Sequence, residues 1–194
     1  MPILSGNAAR PSTGGLLGTI HARPTKADLE TDLDAEPFIK LEMLSNPQFL
    51  SGARDLISAV AKRTGFSDIA CCQIALAVDE ALCNIIRHGY ERKPDGRIWI
   101  ELFKHGDDGG LRIVIQDEAK QIEPHEFQGR DLDDIKPGGL GVHIIKEVMD
   151  EVTLEKRDGV GMRLTLIKIP SGDDELTAGT CTGHNRNREG CGDG

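Results

Sequence analysis

The stretch from Ser67 to Gly89 restricts the fold most. Ser67 and Asp68 open a helix that the periodicity carries to about Arg87, with Gly89 as its stop. Cys71, Ile74, Ala75, Val78, Ala81, Leu82 and Ile85 recur at i, i+3, i+4 and i+7 and make one apolar stripe. That stripe has to be buried against another layer. Roughly half a turn away lie Ala77, Glu80, Asn84, Arg87 and His88. Glu80 and Asn84 are four apart, so their side chains are stacked neighbours, and a carboxylate and an amide so placed can act together on a metal-bound phosphate. The same spacing describes an ordinary surface face, so alone it decides nothing.

The missing layer is supplied by alternation of period two. Ile39, Leu41 and Met43 alternate with Lys40 and Glu42; Ile98, Ile100 and Leu102, then Leu111, Ile113 and Ile115, then Leu164 and Leu166 repeat the pattern, with a further strand around Val152 to Lys156. His105 to Gly110 reads as a hairpin turn. A helix ahead of these strands has clear punctuation. Asn46 is its N-cap, Pro47 its first position, Phe49, Leu50, Ala53, Leu56, Ile57 and Val60 its stripe, and Gly65 its end. A short helix from about Leu140 to Asp150 completes the set, and the polar stretch between Gln116 and Gly139 is too long for an ordinary connector. The sum is an α+β fold: a two-layer sandwich with a mixed, mostly antiparallel sheet and helices on one face.

Composition sets the limits of this domain. The chain has 194 residues, enough for one domain with tails. Residues 1–36 carry Pro2, Pro11 and Pro24 with scattered glycines and no sustained period, and residues 1–37 read as a flexible leader; residues 38–170 hold the domain; residues 171–194 read as a disordered tail. Cys71, Cys72 and Cys83 fall in the long helix and are expected as reduced thiols, while Cys181, His184 and Cys191 offer only three soft ligands without a CxxC pair. No apolar run approaches the roughly 18 to 20 residues of a membrane span, and Met1 to Arg10 lacks the order of a secretory signal, so no membrane contact and a cytoplasmic location are expected. A formal charge of -9 disfavours nucleic acid as a partner.

Two blocks carry a resemblance. Ala77 to Tyr90, AVDEALCNIIRHGY, resembles the N-box of the GHKL (Bergerat-fold, histidine-kinase-like) ATPases, most closely their RsbW-type branch of serine-protein kinases and anti-sigma factors. Pro137 to Val152, PGGLGVHIIKEVMDEV, resembles that branch's second glycine box and following helix. The blocks stand in the family's order with a strand pair between them. The resemblance implies that Glu80 is the general base for a protein serine hydroxyl or a water and that Asn84 holds Mg²⁺. It further implies that Asp117 binds the adenine amino group of ATP, and that Gly138, Gly139 and Gly141 bring backbone amides to the phosphates at a helix N-terminus. It implies a kinase of a partner-switching module that phosphorylates a STAS-domain anti-anti-sigma protein, with a sigma factor and a second copy of the chain as further partners.

The first glycine box departs from the family pattern. Ala119 stands where a glycine is usual, which is mild only if the backbone keeps a negative φ, and Lys120-Gln121-Ile122-Glu123-Pro124 replaces the customary continuation. The threonine common in the closing hairpin is replaced by Gly161 and Met162, with Thr165 as a weak substitute. This motivates an alternative: a non-catalytic Bergerat-fold module that grips a regulatory partner. A sensor histidine kinase would need a phosphoacceptor histidine on a helical hairpin, and before residue 88 the sequence has only His21, in the leader. A P-loop kinase is excluded, because no GxxxxGK[ST] run exists.

Overall fold

The computed structural model describes residues 35–107, 109–124, 127 and 140–171. Nearly all of the expected leader and tail, with Cys181, His184 and Cys191, lies outside them. The elements in chain order are β1 (Ile39–Leu44), a 3₁₀ turn (Pro47–Phe49), α1 (Leu50–Arg63), α2 (Asp68–Asn84), a π-helical turn (Ile85–Gly89), β2 (Arg97–His105), β3 (Gly110–Asp117), α3 (Leu140–Val148), β4 (Glu151–Lys156) and β5 (Met162–Lys168).

The strands form one sheet in the order β1-β2-β3-β5-β4. Each neighbouring pair is antiparallel, so among the described strands the expected mixed sheet is antiparallel throughout. Its register explains the alternation. Ile100 stands opposite Ile115, Leu102 opposite Ile113, and those two β3 residues opposite Leu164 and Leu166. All are buried and, with Ile57 of α1, Ile74, Val78 and Leu82 of α2 and Ile145 of α3, they belong to one core. Burying each such side chain is worth about 1.5–3 kcal/mol, which is why the helices are held to this face of the sheet.

Local signals set the helix starts. The Asn46 side chain accepts from the Gln48 amide at 3.1 Å, with Pro47 at the first position. Ser67 Oγ accepts from the Ala70 amide at 3.2 Å. Two features of α2 differ from the sequence reading. Ala77, assigned to the polar side, is wholly buried, because α3 packs there as well. The helix also does not run smoothly to Arg87: after Asn84 it loosens into the π turn, with the Tyr90 amide donating to the Ile85 carbonyl at 2.9 Å. Such turns are often found at functional sites.

The helical run Asp68–Gly89 has 22 residues and contains an 18-residue window of mean hydropathy 1.7, long and apolar enough by length and composition to cross a membrane, contrary to the expectation that no apolar run approaches that length. Its apolarity belongs to the core, since Ile74, Val78 and Leu82 are fully buried within the domain.

Candidate active site

One half of the site is built where two helices meet. Glu80 and Asn84 lie one turn apart on α2, both half-buried, and the N-terminal turn of α3 comes down on them. A Cβ on Gly141 would lie 2.5 Å from Glu80 Oε2 and 3.5 Å from Asn84 Nδ2. Any side chain at this position would have to push the Glu80 carboxylate aside. The first amides of a helix lack intrahelical partners and carry its positive end, so this contact sets free donors beside an acidic and an amide side chain. Asn84 Nδ2 is buried without a hydrogen-bond partner, an uncommon condition that leaves the amide available to a ligand. The neighbouring Asp79 also has a buried, unbonded Oδ1, while its Oδ2 is 4.0 Å from Arg54. Burial, reinforced by the Asp79 charge, pushes the Cys83 thiol upward from its ordinary range, so it is no activated nucleophile.

The other half lies at the end of β3. Asp117 is 3% exposed, and its Oδ1 accepts from the amides of Ala119 at 2.8 Å and Met162 at 3.2 Å. Burial raises its carboxyl above the usual range; those two hydrogen bonds and the Arg157 charge pull the other way. Oδ2 takes no hydrogen bond from the described residues, which leaves one acceptor of a fixed carboxylate for a donor from outside.

Around Asp117 the chain is pinned from several directions. Tyr90 Oη donates to the Arg97 carbonyl at 2.5 Å and accepts from the Glu118 amide at 2.9 Å. Gly96 lies under the Tyr90 ring, where any Cβ would collide. Gly161, at φ +82°, packs directly on the Asp117 carbonyl, so a side chain there is barred both by space and by backbone conformation. Ala119 presses against the end of the π turn: a Cβ on Gly89 would come within 2.8 Å of the Ala119 methyl. This contact ties the β3 end to the helix that carries Asn84.

The structure thus brings Gly141 to Glu80 and Asn84, and sets Asp117 at the far side of the π turn. Gly138 and Gly139 lie outside the described residues. Among the described non-glycine residues only Glu91 and Arg92 have positive φ, so Ala119 in the glycine position costs no backbone strain. Thr165 is no substitute for the family threonine. It pairs with Val114 on the sheet face opposite the helices, whereas the Met162 amide provides the bond to Asp117. Tyr90, Gln121, Arg157 and Gly161 received no role from sequence reasoning. Tyr90 closes the first resembling block, Gln121 lies in the segment that departs from the family pattern and Gly161 stands where the hairpin threonine is usual, while Arg157 left no trace.

A half-buried carboxylate and amide thus meet the N-terminal turn of a helix, and a fixed carboxylate closes the end of β3, within an α+β domain of helices on one antiparallel sheet. Residues 43–168 match the model of the histidine kinase-like ATPase domain family. The chain belongs to that family, and within it to the RsbW-type serine-protein kinases. It is 31% identical over 134 residues to the serine-protein kinase RsbW of Listeria monocytogenes serotype 4a, a match covering 66% of this chain and 85% of that protein. The Staphylococcus aureus RsbW (strain MRSA252) is 30% identical over 141 residues, covering 67% and 86%. The Bacillus subtilis RsbW is 25% identical over 136 residues, covering 66% and 84%. A crystal structure of the RsbU and RsbW domains of a Mycobacterium tuberculosis protein aligns with a TM-score of 0.48 at 18% identity, over 69% of this chain and 33% of that longer one.

Proposed function

We propose that the chain is a cytoplasmic ATP-dependent protein-serine kinase of a partner-switching module. Its substrate is a serine on a STAS-domain antagonist, and its other partner is the sigma-type regulator that the antagonist displaces. The observation that carries this is the contact of Gly141 with Glu80 and Asn84, which gathers a base, a hard oxygen ligand and a helix N-terminus at one point of a chain that belongs to a kinase family.

In this reading Asp117 accepts from the adenine amino group through Oδ2, and the start of α3 with Gly138, Gly139 and Gly141 receives the phosphates. Glu80 takes the proton of the substrate serine hydroxyl; that oxygen bonds to the γ-phosphorus as its bond to the bridging oxygen breaks, and ADP leaves. The donor set suits Mg²⁺. Asn84 offers an amide oxygen from a side chain with an unsatisfied buried nitrogen. Among the described residues no cluster of three or more His, Cys, Asp or Glu could hold a metal ion, so the remaining ligands would be phosphate and water, as is usual for this cation. When bound, Mg²⁺ supplies charge neutralisation on the transferring phosphoryl group. Holding the reactants in place is the protein's main task in such chemistry.

The test is transfer of ³²P from Mg-ATP to a STAS-domain protein. Glu80→Ala should lower the rate by about 10²–10⁴-fold while sparing ATP binding, the range expected for loss of a general base. Full transfer by that variant would refute the assignment.

A further inference from the structure

The turn between β4 and β5 reaches back to Asp117 with more than its glycine. Arg157, the first residue after β4, donates from Nη1 to the Asp117 carbonyl oxygen at 2.5 Å, and its guanidinium carbon lies 5.4 Å from the centroid of the Trp99 ring on β2. The Arg157 amide closes the turn by donating to the Gly161 carbonyl at 3.1 Å. From the other side, Gln121 Nε2 donates to the Arg157 carbonyl at 2.8 Å and reaches the Gly161 carbonyl at 3.2 Å. Gln121 stands four residues after Asp117, in the segment that departs from the family pattern. The two side chains therefore form a closed loop of hydrogen bonds through the turn whose Met162 amide also holds Asp117 Oδ1.

We propose that Arg157 and Gln121 are positioning residues for Asp117: they lock the β4–β5 turn onto the end of β3 and so set the selectivity of the site for the nucleotide base. The inference rests on the reading of Asp117 as the adenine-binding carboxylate. A carboxylate that discriminates an amino group from a carbonyl at the base edge must keep its oxygens in place, because a small rotation lets water or the other base substitute. Here the carboxylate is oriented by backbone amides on two segments, and these segments are held in register by Arg157 and Gln121. Arg157 also makes the arrangement observable, since Trp99 is the sole tryptophan of the chain and its ring carries the guanidinium.

The experiment is calorimetric titration of the full chain with Mg-ATP and Mg-GTP, with tryptophan fluorescence followed in parallel, for the wild type, Arg157→Ala, Arg157→Lys, Gln121→Ala and Asp117→Asn. Arg157→Ala should reduce the ATP-over-GTP preference by about tenfold, the scale of one charge-assisted hydrogen bond, and abolish the ATP-induced fluorescence change. Arg157→Lys should recover part of both. Gln121→Ala should lower the preference about threefold, as a neutral bond would. If Arg157→Ala does not fold, Gln121→Ala and Arg157→Lys carry the test. A wild-type ATP/GTP ratio in the Arg157 and Gln121 variants, with the ratio collapsed in Asp117→Asn, overturns the positioning role alone. A wild-type ratio in Asp117→Asn overturns the adenine assignment itself.

Discussion

The two halves of the site are built by different means. The half around Glu80 and Asn84 takes both side chains from one helical turn and adds a single approach, that of Gly141. The half around Asp117 is assembled from four separate segments: the turn after α2 with Tyr90, the end of β3, the Gln121 stretch and the β4–β5 turn. A helix holds its functional groups by its own backbone bonds, so the first half needs little support. A strand end has no such bonds beyond its last pair, and its geometry is only as good as its neighbours. The substitution of Ala119 for glycine falls in this second half and is accommodated there.

That contrast can be broken on either side. The largest effect is expected from Gly161→Ala, which combines a positive φ with a collision against the Asp117 carbonyl. It should cost about 2–4 kcal/mol of stability, summing strain and overpacking, read as a lowered midpoint of denaturant unfolding, together with weakened ATP binding. Gly141→Ala should spare stability by comparison but displace Glu80. Phosphoryl transfer should fall about 10- to 100-fold, the scale of a misplaced catalytic group, with a smaller change in ATP affinity.

Asp117→Asn gives the smallest structural effect. Asparagine keeps the Oδ1 acceptor for Ala119 and Met162 and removes a buried charge. Because burial raises the Asp117 carboxyl above its ordinary range, the folded state binds its proton more readily than the unfolded chain does. That group's contribution to stability therefore falls as pH rises through the interval between its unfolded and folded pKa, and at neutral pH the variant should be at least as stable as the wild type. ATP binding by the wild type should weaken as pH drops through the raised pKa and the carboxylate gains its proton. This inflection should be absent from Asp117→Asn, which binds ATP weakly at every pH. An unaltered inflection in the variant would show that another group is responsible.

The legibility of the site follows the same division. Glu80 and Asn84 were readable because their relation is local, four residues on one helix. The strands were readable because alternation is local too, and the register agrees with it at Ile100, Ile113 and Leu164. The π turn was not readable, since nothing in Ile85 to Gly89 distinguishes it from continued α-helix. Nor was the burial of Ala77, which depends on where α3 packs. Arg157 had no signature and Gln121 only a place in the departing segment: an arginine in a turn and a glutamine in a polar loop acquire their contacts only through residues 36 to 40 positions away in the chain.

By itself the sequence determined the strands, the helix starts, most of the buried faces, the α+β class and the helical pair Glu80 and Asn84, because periodicity and capping act over a few residues. Only the tertiary structure decided that Gly141 seats on that pair, that Gly161 underlies Asp117, and that Ala119 meets Gly89 without strain. These are distances between segments far apart in the chain, and they are set by the packing of helices on a sheet, which no local pattern encodes.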